Sequence, residues 1–392
     1  MSEWKVTSLQ KIAQINPIER LIKGEKAKKV GMEFVLPFTK KVSTFSKEEY
    51  KGGTKFRNGD TLIARITPCL ENGKTAFVDF LDENEIGFGS TEFIVLREIE
   101  GSSDKEFLYY FACSPTFREV AIASMTGSSG RQRVQTEVVK EFEFSLPPLP
   151  EQRAIAGVLS SLDDKIDLLH RQNQTLEALA QTLFRQWFVE EAEEDWEEGE
   201  LIDIADHIKL NVKPYQFPEL IFHHYSIPAF DNDEKPIVEL GKEIKSNKYQ
   251  VPGNAILVSK LNPRFPRIWR IPNEIPENSI CSTEFQVVLP KSSEYYGFIY
   301  YFLKSQYVTN KLISAASGTS GSHQRVMPED IFNLKYHIRN ENQIMKFNNE
   351  VAVELEKIEK NKRQIQTLAE LRDMLLPKLI SGEVRIRRGY SC

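Results

Sequence analysis

At 392 residues, with 41% hydrophobic and 10% aromatic side chains, the chain is long enough for two or three packed domains and too apolar for a disordered one. No apolar run approaches the roughly 20 residues of a membrane helix, and Met1-Ser2-Glu3-Trp4 lacks the basic-then-apolar plan of a signal peptide, so a cytoplasmic protein is expected. The net charge of −5 does not exclude a nucleic-acid partner: residues 190–200 hold eight of the 56 acids, and the rest of the chain has 48 acidic against 51 basic side chains.

In chain order, residues 1–150 show short β-like runs punctuated by Gly, Pro and Asn. Thr61-Leu62-Ile63-Ala64 follows a turn-like Asn-Gly-Asp, Glu92 to Leu96 reads as another strand, and Phe107 to Ala121 as a short helix. Leu146-Pro147-Pro148-Leu149-Pro150 then leads into one long helix over 151–189, since fixed φ and missing donors forbid helix before Glu151. Its seam (Ile155, Leu159, Leu162, Ile166, Leu169, Asn173, Leu176, Ala180, Leu183, Trp187) alternates steps of four and three, the heptad of a coiled coil. The acidic run from Glu190 to Glu200 reads as a solvated linker, with a partner-docking patch as the alternative.

The second half of the chain repeats the first, at a shift of 192. Trp4, Leu9, Ile12 and Ala13 return as Trp196, Leu201, Ile204 and Ala205; Ser90-Thr91-Glu92-Phe93 as Ser282-Thr283-Glu284-Phe285; Gln132-Arg133-Val134 as Gln324-Arg325-Val326; Thr175-Leu176 as Thr367-Leu368. So long a period means a duplicated domain plus connector, and two similar modules imply a target with two similar parts. Residues 190–340 are therefore expected to hold the acidic linker and a second module, with strands at Ala255 to Val258 and Glu284 to Leu289 and a helix from Phe298 to Ile313. A distal helix is expected over 341–380 and a tail over 381–392. The copied seam runs Phe347, Val351, Glu354, Ile358, Asn361, Ile365, Leu368, Arg372, Leu375, Leu379, with Pro377 expected to kink or end the helix near Leu376. Antiparallel pairing of the helices would set Asn173 opposite Asn361, a polar pair that fixes register. The fold class is α+β: two tandem similar globular domains and two long antiparallel helices, in a pseudo-two-fold internal repeat.

Each module carries a small, polar, glycine-rich stretch ending in cations: Thr126-Gly127-Ser128-Ser129-Gly130-Arg131-Gln132-Arg133 and Gly318-Thr319-Ser320-Gly321-Ser322-His323-Gln324-Arg325. Hydroxyls, freed backbone N–H groups and an Arg/Gln pair suit phosphate contacts and bidentate reading of base edges. The bland alternative is a loop whose Arg pairs with a nearby carboxylate; recurrence of Gln-Arg-Val favours binding. A second basic group comprises Arg57, Arg65 and Lys74 in the first module and Lys260, Arg264, Arg267 and Arg270 in the second, near prolines and aromatics. The modules differ most here, so loops that read bases would read different ones.

Nothing catalytic is legible. Asn262-Pro263-Arg264-Phe265 only half resembles the base-holding loop of adenine-N6 methyltransferases, and there is no P-loop, G-x-G-x-x-G, nucleophile elbow or histidine pair at ligand spacing. Four scattered cysteines (Cys69, Cys113, Cys281, Cys392) argue against a zinc site or a disulfide framework. No metal or cofactor is expected on this chain.

Taken jointly, the Leu-Pro-Pro-Leu-Pro-Glu-Gln entry at 146–152, the glycine/serine loop with Gln-Arg-Val, Ser-Thr-Glu-Phe, the closing Leu375-Leu376-Pro377-Lys378-Leu379-Ile380-Ser381-Gly382-Glu383 and the duplication resemble the DNA-specificity subunit of type I restriction–modification systems. The second module departs at its helix entry, Ile338-Arg339-Asn340-Glu341-Asn342-Gln343. The resemblance implies two target-recognition domains, each reading half of a bipartite site on double-stranded DNA, and helices that space them and dock two modification subunits. Adenine-N6 methylation with S-adenosylmethionine would then belong to those subunits, and ATP- and Mg-dependent translocation and cleavage to restriction subunits. A helix of about 39 residues is roughly 58 Å long, room for half-sites about one DNA turn apart with a spacer of roughly 5 to 8 base pairs. The rival is a coiled-coil scaffold joining proteins without reading bases.

Overall fold

A computed structural model describes residues 4–128, 130–232, 234–316 and 324–386. The chain forms two compact units, Met1–Leu168 with Gln364–Cys392, and Leu169–Arg363. Each unit thus takes part of both long helices.

The first unit contains β1 (Lys5–Ser8), β2 (Ala13–Ile15), β3 (Lys26–Val30), β4 (Ser46–Glu49), β5 (Thr54–Phe56), β6 (Thr61–Ala64), β7 (Thr75–Phe77), β8 (Gly87–Gly89), β9 (Phe93–Glu98) and β10 (Glu143–Leu146). Two four-stranded sheets have orders β2-β9-β6-β7 and β4-β3-β8-β5, and β1 pairs with β10. β6 and β9 are buried on both faces, and the two-residue period sorts their side chains. Leu62, Phe93 and Val95 join one apolar cluster with Val30 and Phe56. Ile63, Ile94 and Leu96 join another, with aromatics of α1 (Lys105–Cys113) and α2 (Pro115–Ala123). The single helix expected over 107–121 is these two, broken at Ser114, whose Oγ accepts from Phe117 N–H while Pro115 starts the next helix. A short α3 (Thr136–Glu141) precedes β10.

α4 (Leu149–Arg185) begins two residues earlier than expected. Pro148 C=O accepts the first helical bonds, and Pro150 lies in the turn where no N–H is required. A π-helical turn, Gln186–Glu190, comes after it.

The second unit repeats the plan through β11 (Glu197–Glu200), α5 (Leu201–Ile204), β12 (Ala205–Ile208), β13 (Asn211–Val212), β14 (Ile221–Tyr225), α6 (Ile227–Asp231), β15 (Ile237–Leu240), β16 (Lys248–Gln250), β17 (Ile256–Ser259), β18 (Ile268–Arg270), β19 (Ser279–Ser282) and β20 (Phe285–Pro290). Its sheets have orders β12-β20-β17-β18 and β13-β16-β19-β14-β15. Again the buried strands split by parity: Ile256, Val258 and Val288 face the helices, while Leu257, Phe285 and Val287 face Trp269. The expected helix over 298–313 is α7 (Tyr296–Leu303) and α8 (Gln306–Ala315), parted at Ser305, whose Oγ caps Val308 N–H at 3.2 Å. α9 (Pro328–Phe332) and β21 (Lys335–Ile338), paired with β11, lead to α10 (Glu341–Ser381).

Of the two outcomes expected of Pro377, a kink or an end near Leu376, α10 does not show the end; it continues to Ser381, one residue past the expected bound of 380. The proline forfeits one helical bond, but Leu376, Leu379 and Ile380 are buried in the first unit's core, and that burial holds the last turn. Gly382, at φ +79°, then terminates it, with Val384 N–H on Lys378 C=O at 3.0 Å.

Within each unit the two helices run antiparallel. In the first, Asp163 meets Arg372; in the second, Asn173 meets Asn361 and Trp187 meets Phe347. Asn361 Nδ2 donates to Asn173 Oδ1 at 2.8 Å, and its own Oδ1 is buried without a partner. Asn173→Ala, which strips the fully buried Asn361 of its partner, should therefore cost about 1–3 kcal/mol, whereas Asn173→Leu with Asn361→Leu should be neutral or stabilising. Urea midpoints check this; a single variant as stable as the parent would remove the Asn pair as a determinant of register.

Candidate nucleic-acid interface

In the first unit the chain leaving β6 is joined by the segment around Val134. Arg65 N–H donates to Glu92 C=O at 2.9 Å, Val134 N–H to Arg65 C=O at 2.9 Å, and Thr67 N–H to Gln132 C=O at 3.0 Å. Thr126 and Arg133 exchange both backbone bonds, at 3.0 and 2.9 Å, closing the tip that carries Gly127 and Arg131. Gly127, at φ +132°, makes the turn; a Cβ there would meet Arg131 C=O at 3.0 Å. Outside the tip, Arg133 forks onto Glu92: Nε lies 3.0 Å from both carboxylate oxygens and Nη2 2.7 Å from Oε1. This bonding, led by the Arg133 hydrogen bonds, holds Glu92 below the usual carboxylate range, so the pair is charged at neutral pH.

The second unit builds the same latch. Lys260 N–H bonds Glu284 C=O at 2.9 Å, Val326 N–H bonds Lys260 C=O at 3.0 Å, and Asn262 N–H bonds Gln324 C=O at 2.8 Å. Arg325 Nε and Nη2 lie 3.2 and 3.1 Å from the Glu284 carboxylate. Arg65 and Thr67 therefore correspond to Lys260 and Asn262 at a shift of 195, while the latch residues keep 192. The stretch between them is three residues shorter in the second unit, and two of the three are lost from the β17–β18 hairpin.

The recurring motifs thereby acquire a structural cause. Ser90 and Ser282 hydroxyls accept from the N–H of Glu92 and Glu284, those glutamates hold Arg133 and Arg325, and Phe93, Phe285, Val134 and Val326 are buried. Recurrence of Gln-Arg-Val, which on sequence grounds favours DNA binding, is accounted for by the scaffold that holds the tip.

Other candidates separate by their partners. Arg57 is tied to Glu19 at 2.6 Å, Lys74 Nζ donates to Met32 C=O at 2.9 Å, and Arg267 forks onto Asp231 at 2.7 and 2.9 Å. Arg270 is buried against Glu359 at 2.6 Å. These four are structural cations in this conformation. Arg65 is half-buried, donating from Nη2 to Val134 C=O at 3.4 Å while its Nε has no partner. By contrast Arg131, Lys260 and Arg264 make no side-chain hydrogen bond or ion pair among the described residues, and Ser128 is exposed close to Arg131 in sequence. Gln132 and Gln324 are half-buried. Asn262, at φ +55°, turns the loop after β17 so that Arg264 is exposed and Phe265 is 64% exposed, a cation beside a stacking surface. Ser129, Ser320, Ser322 and His323 lie outside the described residues.

Sequence reasoning missed Glu92 and Glu284 as partners of the arginines, although one signal was available. Both Glu–Arg pairs are 41 residues apart.

Among the described residues no group of His, Cys, Asp and Glu could hold a metal, and no helix is long and apolar enough to cross a membrane. Two α+β units, each presenting a latched loop beside unpaired cations, form a duplicated recognition protein. Residues 1–178 match the family model described as the type I restriction modification DNA specificity domain, and the chain is similar to type I specificity subunits. It is 29% identical over 329 residues to the type I restriction enzyme EcoAI specificity subunit of Escherichia coli, covering 78% of this chain and 53% of that one. It is 27% identical over 309 residues to the MjaIX specificity subunit of Methanocaldococcus jannaschii, covering 72% of this chain and 69% of that one. The chain thus spans about half the length of the first of these relatives. A crystal structure of the type-I restriction-modification system S subunit from M. genitalium shares the fold, with a TM-score of 0.56 at 18% identity over 96% of both chains.

Proposed function

We propose that this chain is the non-catalytic, sequence-specific DNA-reading subunit of a type I restriction–modification complex. Each unit reads one half of a bipartite, asymmetric site on double-stranded DNA. The observation that carries this reading is one backbone scaffold built twice with different side chains upon it: Arg65 against Lys260, Thr67 against Asn262, and hairpins of unequal length. A shared scaffold with unshared side chains suits two half-sites of different sequence. Two adenine-N6 methyltransferase subunits supplied with S-adenosylmethionine, and restriction subunits using ATP and Mg, are the partners this role requires.

Mapping methylated adenines in cells that carry the complete system tests it. The modified sites should share two short fixed half-sites around a fixed spacer, and a change in β17–β18 loop residues should alter one half-site only. Modification without sequence preference, or DNA binding by the assembled complex with no specificity over random sequence, would leave the scaffold reading standing instead.

The latch supplies a sharper expectation. Arg131→Ala or Arg264→Ala should weaken binding to all sequences alike and shrink the salt slope by about one for each phosphate no longer neutralised, or remove discrimination at one base pair if a guanine edge is read. Arg133→Ala and Glu92→Gln separate two roles. If Arg133 only braces the tip, both weaken specific binding together; if it touches DNA, Glu92→Gln keeps or raises affinity while Arg133→Ala lowers it. Anisotropy titrations of the assembled complex across salt concentrations read both quantities.

A further inference from the structure

The second unit contains an apolar pocket of about 210 Å³ where α4 passes into the π-helical turn, lined by Phe184, Phe188, Phe298, Phe302 and Tyr336. Val189 and Ala192 also line it, and both are exposed, so the pocket is reached from solvent; Ser305, Tyr307, Lys335 and His337 bring polar atoms to its wall. It is far larger than the 10–15 Å³ or so that one water needs, and it falls below the roughly 300 Å³ of small-molecule sites. A single large side chain fits that range.

The duplication shows why the space exists. In the first unit Phe111 stacks on Phe144 with centroids 4.1 Å apart, and Phe142 lies 6.1 and 6.0 Å from those two rings. In the second unit Phe302 and Tyr336 stand 6.1 Å apart, and the position of Phe142 is taken by Leu334. A close stack has become an open slot.

The acidic run begins at the pocket edge. Glu190 pairs with Arg185, Glu193 with Arg339, and Glu198 with Lys335 and His337, while Gln186 donates to Glu191. Glu194, Asp195 and Glu197 are exposed and have no side-chain partner among the described residues. Lys335, which lines the pocket, is neutralised by Glu198 at 2.6 Å. An apolar slot beside unpaired carboxylates complements a cationic segment carrying one aromatic side chain.

We propose that this pocket is a protein-docking site, occupied by a phenylalanine-type side chain of a partner segment whose flanking residues are Lys or Arg. The acidic stretch is then half of a recognition surface, beyond its role as a linker.

The probe is a fluorescent peptide Lys-Arg-Phe-Arg-Lys, titrated against the full chain by anisotropy, with Lys-Arg-Ala-Arg-Lys as its control. The Phe peptide should bind roughly tenfold or more tighter, the range set by burying one such side chain. Ala192→Trp, which fills the slot from an exposed position, should erase that preference; Val189→Trp serves if the first variant melts early. Reversing Glu194, Asp195 and Glu197 to Lys should weaken both peptides, as should raised salt. Equal binding of the two peptides would reduce the site to an acidic linker that attracts cations and overturn the proposal. So would a Phe preference that survives both Trp variants, or one indifferent to the charge reversal.

Discussion

Replacing Arg97 with Ala is expected to destabilise the protein by about 3–5 kcal/mol, the cost of leaving buried charges without their partner. Arg97 Nη1 lies 2.6 Å from Glu19, and its Nε and Nη2 each lie 2.7 Å from Asp60; those carboxylates are only 2% and 1% exposed. Arg57 adds a second contact to Glu19, and Asp60 also accepts from Arg57 N–H at 2.7 Å. Burial by itself pushes the Glu19 carboxyl up, but the hydrogen bonds from Arg97 and Arg57 outweigh it and hold the group below the usual range. A depressed carboxylate contributes stability that is fully present above its unfolded pKa and is lost as pH falls through the folded value. In Arg97→Ala, burial should win, so the acid limb of the stability profile should move to higher pH. Urea midpoints from neutral to acid pH would show it. A variant within about 1 kcal/mol of the parent, with an unmoved acid limb, would mean that water already solvates this cluster.

How much was legible from sequence depends on how far apart the deciding residues lie. The duplication, the buried strands at Thr61–Ala64 and the seams were readable because each is a local pattern, and no residue of either predicted seam is exposed. An end near Leu376 was one of two expectations for Pro377, because propensity counts one lost bond and cannot see that Leu379 and Ile380 beyond it are buried in a core made mainly of residues more than 200 positions earlier. The breaks at Ser114 and Ser305 were local signals passed over: a serine cap, followed in one case by Pro115. For the basic loop residues the partners also lie far off. Composition registers Arg57 and Arg267 as cations but not that Glu19 and Asp231, 38 and 36 residues away, accept hydrogen bonds from them. Among the described candidates, Arg131, Lys260 and Arg264 make no side-chain hydrogen bond or ion pair, a set that composition alone could not separate from the others. Repetition also proved double-edged. The identical Glu–Arg pairs of the two modules are explained by the shared scaffold they brace.

A distant partner also decides the behaviour of the one cation placed in a predicted apolar seam. Arg372 sits on the α10 seam in the first unit, where a heptad would ask for leucine, and its Nη1 meets Asp163 of α4 at 2.7 Å. Asp163 also accepts from Tyr110 Oη at 2.6 Å, so three elements converge on one carboxylate that is 7% exposed. Burial lowers an arginine's pKa, but here the Asp163 charge and hydrogen bond prevail and it is raised, so Arg372 stays charged. Arg372→Ala should cost about 3–5 kcal/mol, because the buried aspartate loses its counterion. Asp163→Leu with Arg372→Leu should recover only part of that, since the Tyr110 hydroxyl, on a residue 1% exposed, is then stranded. Adding Tyr110→Phe should bring stability back to the parent's level or above, as apolar replacements of buried ion pairs do. Equilibrium unfolding of the single, double and triple variants tests the order. If the triple variant stays as unstable as Arg372→Ala, the loss lies in packing around the guanidinium stem and the electrostatic account of this seam fails. If it recovers, the ion pair is maintained at no gain in stability over a hydrophobic seam, which leaves the alignment of this unit's helices as the role to test next.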